Sequence, residues 1–141
     1  MKVKTIKRIF LSIMTGVMVL SNAGTMLSFA NNHNDSYYSA YGGDGGDYLT
    51  DIREKTDRSS AYAKNLNTNL THRIRVFGTN SGYNLNGDCT LGYGYYDVKP
   101  NSFAYIFNSV YERGYRKAYL VFTEAYHKSG WIRGLWSPDS I

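Results

Sequence analysis

Apolar and polar positions alternate without ambiguity in two stretches of the chain. In "THRIRVF", residues 71–77, Ile74 and Val76 share one face while Arg73, Arg75 and Phe77 share the other. In "YRKAYLVF", residues 115–122, Ala118, Leu120 and Phe122 are expected to face inward, with Tyr119 and Val121 on the reverse. A period of two marks a β-strand with one face in a core. Weaker alternation runs through residues 48–57 and 60–66, and the turn-forming "TDRSS" between them predicts a hairpin. "CTLGYGYYDV" predicts a strand with Cys89, Leu91, Tyr93 and Tyr95 on one face. Its other face, Thr90, Gly92 and Gly94, is nearly bare and open to close approach by an aromatic from a facing strand or by a ligand.

Beyond Pro100, Phe103, Tyr105 and Phe107 read as a short strand, and residues 109–113 as one helical turn capped by Gly114. "GWIRGLW" is a last strand entered through the turn "HKSG", with Ile132 and Trp136 on one face across Gly134. The terminal "SPDS" fits a type I turn that ties the end down, with a recognition tail as the alternative. No stretch sustains a helical apolar period, so long helices are not expected. Short strands between frequent turn signals predict an all-β fold, a small antiparallel β-sandwich or partly closed barrel.

Composition adds to this picture mainly through aromatics. All 14 tyrosines lie beyond residue 30, together with Phe77, Phe103, Phe107, Phe122, Trp131 and Trp136. That exceeds what one small core accommodates, so some rings are expected at the surface. Tyr93, Tyr95, Trp131 and Trp136 are the candidate binding residues. Residues 31–47, "NNHNDSYYSAYGGDGGD", are polar, rich in glycine and without period, and read as a flexible lead-in to a single domain over residues 48–141.

The first 30 residues change the meaning of the charge. Lys2, Lys4, Lys7 and Arg8 precede an apolar run from Ile9 to Leu20, and "SFA" places small residues before a break between Ala30 and Asn31. This is the pattern of a secretory signal peptide, with an apolar run shorter than the roughly 20 residues a membrane helix needs. The chain is thus expected to be secreted, extracellular or wall-associated, and not integral to a membrane after processing. Four of the 16 cations fall in this leader, so 12 face all 11 acids in the mature chain, a net charge of +1. Interspersed at that ratio they form no basic footprint for nucleic acid. The only cysteine, Cys89, cannot pair within the chain. It is expected to be buried and inert, the alternatives being an intermolecular disulfide or a reactive thiol.

Catalytic and metal chemistry leave no cluster to follow. His33, His72 and His127 lack metal-ligand spacing and read as exposed turn residues. "GGDGGD" at residues 42–47 lacks the rest of a calcium ligand set. Asp51, Asp57, Asp88, Asp97, Glu112 and Glu124 offer no pair that spacing singles out for glycoside hydrolysis. Neither a metal, a cofactor nor an enzymatic activity is expected.

The segments "IREKTDRSSAYAKN", "YYDVKPNS", "VYERGYRKAYL" and "SGWIRGLWSPDSI", in that order after a Lys-rich leader, resemble a family of small secreted proteins of Gram-positive bacteria, a domain of unknown function. The strongest shared element is Gly134, Leu135, Trp136, Ser137, Pro138, Asp139 and Ser140. The resemblance implies a compact secreted β domain and a bacteriocin-like or cell-envelope role, and brings no catalytic residue. Two functions follow as expectations: a secreted antibacterial protein acting on a neighbour's envelope, or a binding module for cell-wall glycan or a surface protein that uses exposed Tyr and Trp.

Overall fold

The computed structural model describes residues 32–43 and 45–140. The expected leader and the expected cleavage site between Ala30 and Asn31 lie outside the described residues. Nine strands are present: β1 Ser36–Gly42, β2 Tyr48–Leu49, β3 Arg53–Glu54, β4 Ala61–Asn65, β5 His72–Thr79, β6 Tyr96–Val98, β7 Phe103–Ile106, β8 Lys117–Glu124 and β9 Gly130–Ser137. Among the described residues there is no helix. All pairings are antiparallel. One sheet has the order β1-β9-β4-β7; the other has β2-β8-β5-β6, with β3 also on β8. The two sheets do not close into a barrel.

The two clear alternations form the backbone of the larger sheet. β5 and β8 pair along their whole length, from His72 opposite Glu124 to Thr79 opposite Lys117. Ile74, Val76, Ala118, Leu120 and Phe122 thereby face Ala61, Ala63, Ile106, Ile132 and Trp136 of the smaller sheet, and all ten are buried in one core. Buried Asn65 joins the sheets at a corner, its Nδ2 donating to the carbonyls of Leu70 (2.7 Å) and Val98 (2.9 Å). These bonds satisfy backbone oxygens that leave the ladders where the chain changes sheet.

Three expectations are corrected. Residues 48–57 and 60–66 do not form a hairpin, because β2 and β3 pair with β8 while β4 pairs with β7 and β9. The turn is real, with the Ser59 N–H and hydroxyl both donating to Asp57, but a turn signal specifies a reversal and not the sheet that the next strand enters. "CTLGYGYYDV" is a strand only over Tyr96–Val98. Gly92 and Gly94 have φ of +87° and +82° and little or nothing above them, so they serve a backbone bend and leave no face for a neighbour. The lead-in contains β1, whose Tyr38, Ala40 and Gly42 face inward, an alternation masked in the sequence by small residues.

The expected helical turn is present. The Arg113, Gly114 and Tyr115 amides donate to the carbonyls of Ser109, Tyr111 and Val110, with φ of +83° at Gly114, the pattern of a Schellman cap. Cys89 is buried beside Gly78, as expected.

Candidate functional site

Alternation determines what each sheet turns outward. On the smaller sheet, Tyr37, Ser39 and Tyr41 of β1, Trp131, Arg133 and Leu135 of β9, Tyr62 and Lys64 of β4, and Phe103 and Tyr105 of β7 share the outer face. The register aligns Tyr37, Leu135, Lys64 and Phe103 in a row across all four strands. Ser137, Tyr62 and Tyr105 form the next row. Tyr41 lies opposite Trp131 at the other end. With six residues separating Trp131 from Ser137 on β9, the face runs about 20 Å along the strands.

Its rings are open to solvent: Tyr37, Tyr41, Phe103, Tyr105 and Trp131 are 50–59% exposed. Four of these five, with the half-buried Tyr62, form two groups. Trp131 meets Tyr41 edge-on with centroids 5.8 Å apart, and the Arg133 guanidinium lies 6.0 Å above the Trp131 ring. Tyr62, Phe103 and Tyr105 make mutual contacts, each pair at 5.8 Å. Lys64, Ser39 and Arg133 interleave the groups with polar side chains, and no carboxylate among the described residues pairs with Lys64 or Arg133.

The other outer face is closed. Phe77, Tyr119 and Val121, on the reverse of β5 and β8, are buried with Ile52 against them. Tyr83 stands edge-on to Tyr119 at 4.9 Å, the Tyr119 hydroxyl donates to the Asn84 carbonyl (2.9 Å), and the Asn84 N–H donates back to that hydroxyl (3.0 Å). Its arginines are paired: Arg73 grips Asp97 through two bonds of 2.8 and 2.9 Å, and Arg75 bonds Asp47 at 2.6 Å. Asp47 of the "GGDGGD" stretch is therefore engaged in an ion pair.

A pocket of about 280 Å³ lies at the Tyr62 and Tyr105 end of the open face, with His33, Asp35, Ser137, Asp139 and Ser140 completing its walls. Its floor is the C-terminal run. The Asp139 carboxylate accepts four hydrogen bonds, from Lys55 Nζ (2.7 Å), Thr56 Oγ1 (2.6 Å), and the N–H groups of Thr56 and Asn32 (3.1 Å each). Burial pushes its carboxyl up, but the bonds from Lys55, Thr56 and Asn32 outweigh this and hold it below its ordinary range. Lys55 Nζ also donates to the Ser59 carbonyl (2.6 Å), and the Ser140 N–H to Ser59 Oγ (3.0 Å). The terminus is thus held by tertiary bonds to residues 55–59, which no local turn rule predicts.

Beneath the Trp131 end lies a chain of bonds that begins in the core and ends at the half-buried Asn67. The Tyr38 hydroxyl donates to His72 Nδ1 (2.9 Å), which leaves Nε2–H to donate to Asn67 Oδ1 (2.8 Å). Asn67 Nδ2 donates in turn to the Trp131 carbonyl (2.7 Å). Burial drives the His72 pKa down to about 4 and raises that of Tyr38, so both groups stay neutral. His72, expected as an exposed turn residue, is instead part of the core. Only the burial of "THRIRV" as a central strand could have signalled this.

Of the four candidate binding residues, Trp131 alone is on the open face. Tyr93 is 97% exposed at the apex of the 91–95 bend, and Tyr95 lies near it with the Arg73 guanidinium 4.1 Å above its ring. Trp136 is 1% exposed and packs inside the core under Arg53, so it offers no surface to a ligand. Tyr37, Tyr41, Tyr62 and Tyr105 went unselected in the sequence because nothing local tells an open sheet face from a roofed one.

Residues 26–140 match the family described as Protein of unknown function (DUF2712). The chain belongs to that family. Within this DUF2712 domain the matched segment takes in every strand of both sheets and the run that closes the pocket. No curated protein and no solved structure matches the chain.

Proposed function

We propose that this domain is a carbohydrate-binding module of the cell envelope that holds glycan on the outer face of its four-stranded sheet. The observation that carries the reading is the contrast between the faces: the aromatics of one are roofed, and five half-exposed rings of the other are not. Soluble domains rarely leave so many large apolar side chains open on one face unless something docks there. A sugar presents C–H groups on its ring faces and hydroxyls around its rim. Exposed rings with Lys64, Ser39 and Arg133 between them meet both needs, whereas a protein interface favours a dry apolar centre depleted of lysine. The export expected from the Lys-rich leader would bring the domain to such polymers.

Cosedimentation with isolated bacterial cell walls tests the reading. Wild-type protein should pellet with the walls, and Trp131→Ala or Tyr41→Ala should leave it in the supernatant with an unchanged circular dichroism spectrum. Binding that survives both substitutions but is lost in Tyr93→Ala would overturn it. An antibacterial action on the envelope would begin with the same contact, and clearing zones on lawns of related strains would add killing to binding.

A further inference from the structure

The pocket at the end of the open face has unmet chemistry of its own. Tyr62 and Tyr105 are directly paired across β4 and β7, and their rings, 5.8 Å apart at 52°, form a corner of two π faces. Opposite them, the exposed Asp35 carboxylate makes no ion pair or hydrogen bond among the described residues, although the Arg53 guanidinium lies within its electrostatic reach, and the His33 Nδ1 is buried without a hydrogen-bond partner. Asp35 also lies close enough to Tyr62 to raise its hydroxyl pKa, an effect secondary to burial. The floor contributes shape without reactivity, because all four bonds to Asp139 are internal to the protein.

We infer that this pocket is the subsite for the terminal sugar residue of the bound glycan, which rests on the reading of the open face as a glycan surface. Two features suit a pyranose. The ring corner takes C–H faces. Asp35 takes the hydroxyl donors of a sugar rim, and charge-assisted bonds of that kind are the stronger class. A simple ammonium would also answer Asp35 and the rings, and it is the continuity of the pocket with the mixed polar and aromatic open face that favours the sugar. The volume of about 280 Å³ suits one ring, lying just below the range of pockets for drug-sized ligands. Because the pocket lies at one end of the open face, the chain enters it by its end, and the rest of the glycan extends over Phe103 and Lys64 toward Trp131.

Nuclear magnetic resonance titration of the folded domain with glucose, N-acetylglucosamine and galactose, and with choline chloride as a cationic probe, tests the assignment. At least one monosaccharide should shift the amide signals of Asp35, Tyr62, Tyr105 and Ser140 with millimolar affinity. Asp35→Asn, a surface change that keeps the shape, should weaken this about tenfold. Tyr105→Ala should abolish it, and Leu85→Ala, 82% exposed on the loop over the other sheet, should leave it intact. Wall binding without any monosaccharide shift in the pocket would overturn the subsite and leave the open-face reading standing. Pocket shifts with choline alone would overturn it in favour of a cation site. If wild-type protein fails to bind walls and sugars alike, both readings fall together.

Discussion

Lys55 Nζ and Asp139 Oδ1 meet at 2.7 Å with both side chains fully buried, joining the turn after β3 to the last residues of the chain. The pair closes the pocket floor and holds the terminus, so its removal should be felt in folding before it is felt in binding. Breaking a buried ion pair from one side leaves a charge without compensation and costs about 3–5 kcal/mol. Asp139→Ala and Lys55→Met should each lower stability by that order in urea denaturation. The double variant should be less damaged than the sum of the two, because the stranded charge is gone. Deleting residues 136–141 should unfold the domain outright.

The Tyr38 and His72 pair predicts an acid-sensitive fold. With a folded pKa of about 4 against an ordinary 6.5, His72 is protonated more readily in the unfolded chain. Stability therefore rises with pH between those values and is lost as pH falls from about 6.5 to about 4, by roughly 3 kcal/mol in all. Asp139, held below 3.8, adds loss in the same direction at more acidic pH, where the unfolded carboxyl takes up a proton first. Urea midpoints measured from pH 7.5 to 3.5 should decline in this order. In His72→Gln the first step should disappear.

Gly134 is required by the same tyrosine. A Cβ there would come within 2.2 Å of the Tyr38 ring, which crosses β9 at that position and is anchored by His72. Overpacking of this kind costs about 1–3 kcal/mol. Gly134→Ala should lower the melting temperature, and Tyr38→Leu in the same chain should restore part of the loss. On a glycine with open space above it the same change would show no such rescue.

The two tryptophans should separate stability from binding. Trp136→Ala empties a core position at a cost of about 3–5 kcal/mol. Trp131→Ala, half-exposed, should change stability by less than about 0.5 kcal/mol while releasing the protein from cell walls. Acrylamide should quench the fluorescence of Trp131 in Trp136→Phe far more than that of Trp136 in Trp131→Phe.

Cys89 should be silent in the native state. Burial, opposed by the nearby Arg113 guanidinium, pushes its thiol up, so little thiolate forms at neutral pH. A disulfide reagent should modify it only once urea has unfolded the domain.

What could be read from the chain alone was local. Ile74 and Val76, and Ala118, Leu120 and Phe122, announced their faces because a strand's period of two is written into consecutive residues. The cap at Gly114 was legible for the same reason. The partner of each strand was not. β2, β3 and β4 carry turn chemistry suited to a hairpin, yet the buried Lys55 turns toward Asp139 and the chain crosses to the other sheet. "NNHNDSYYSAYGG" concealed β1 because serine and glycine fill positions that a strand needs only to keep narrow under its partner.

The chain by itself determined an all-β domain with more aromatic side chains than one core can hold. Tertiary structure alone decided which of them a ligand could reach. Tyr119 and Tyr105 are equivalent as sequence, each a tyrosine at an outward position of an alternating strand. Residues 83 and 84 fold over Tyr119 and bond its hydroxyl, while nothing covers Tyr105. Exposure depends on what packs above a strand, and that is set by segments far away in the chain, where no local pattern records it.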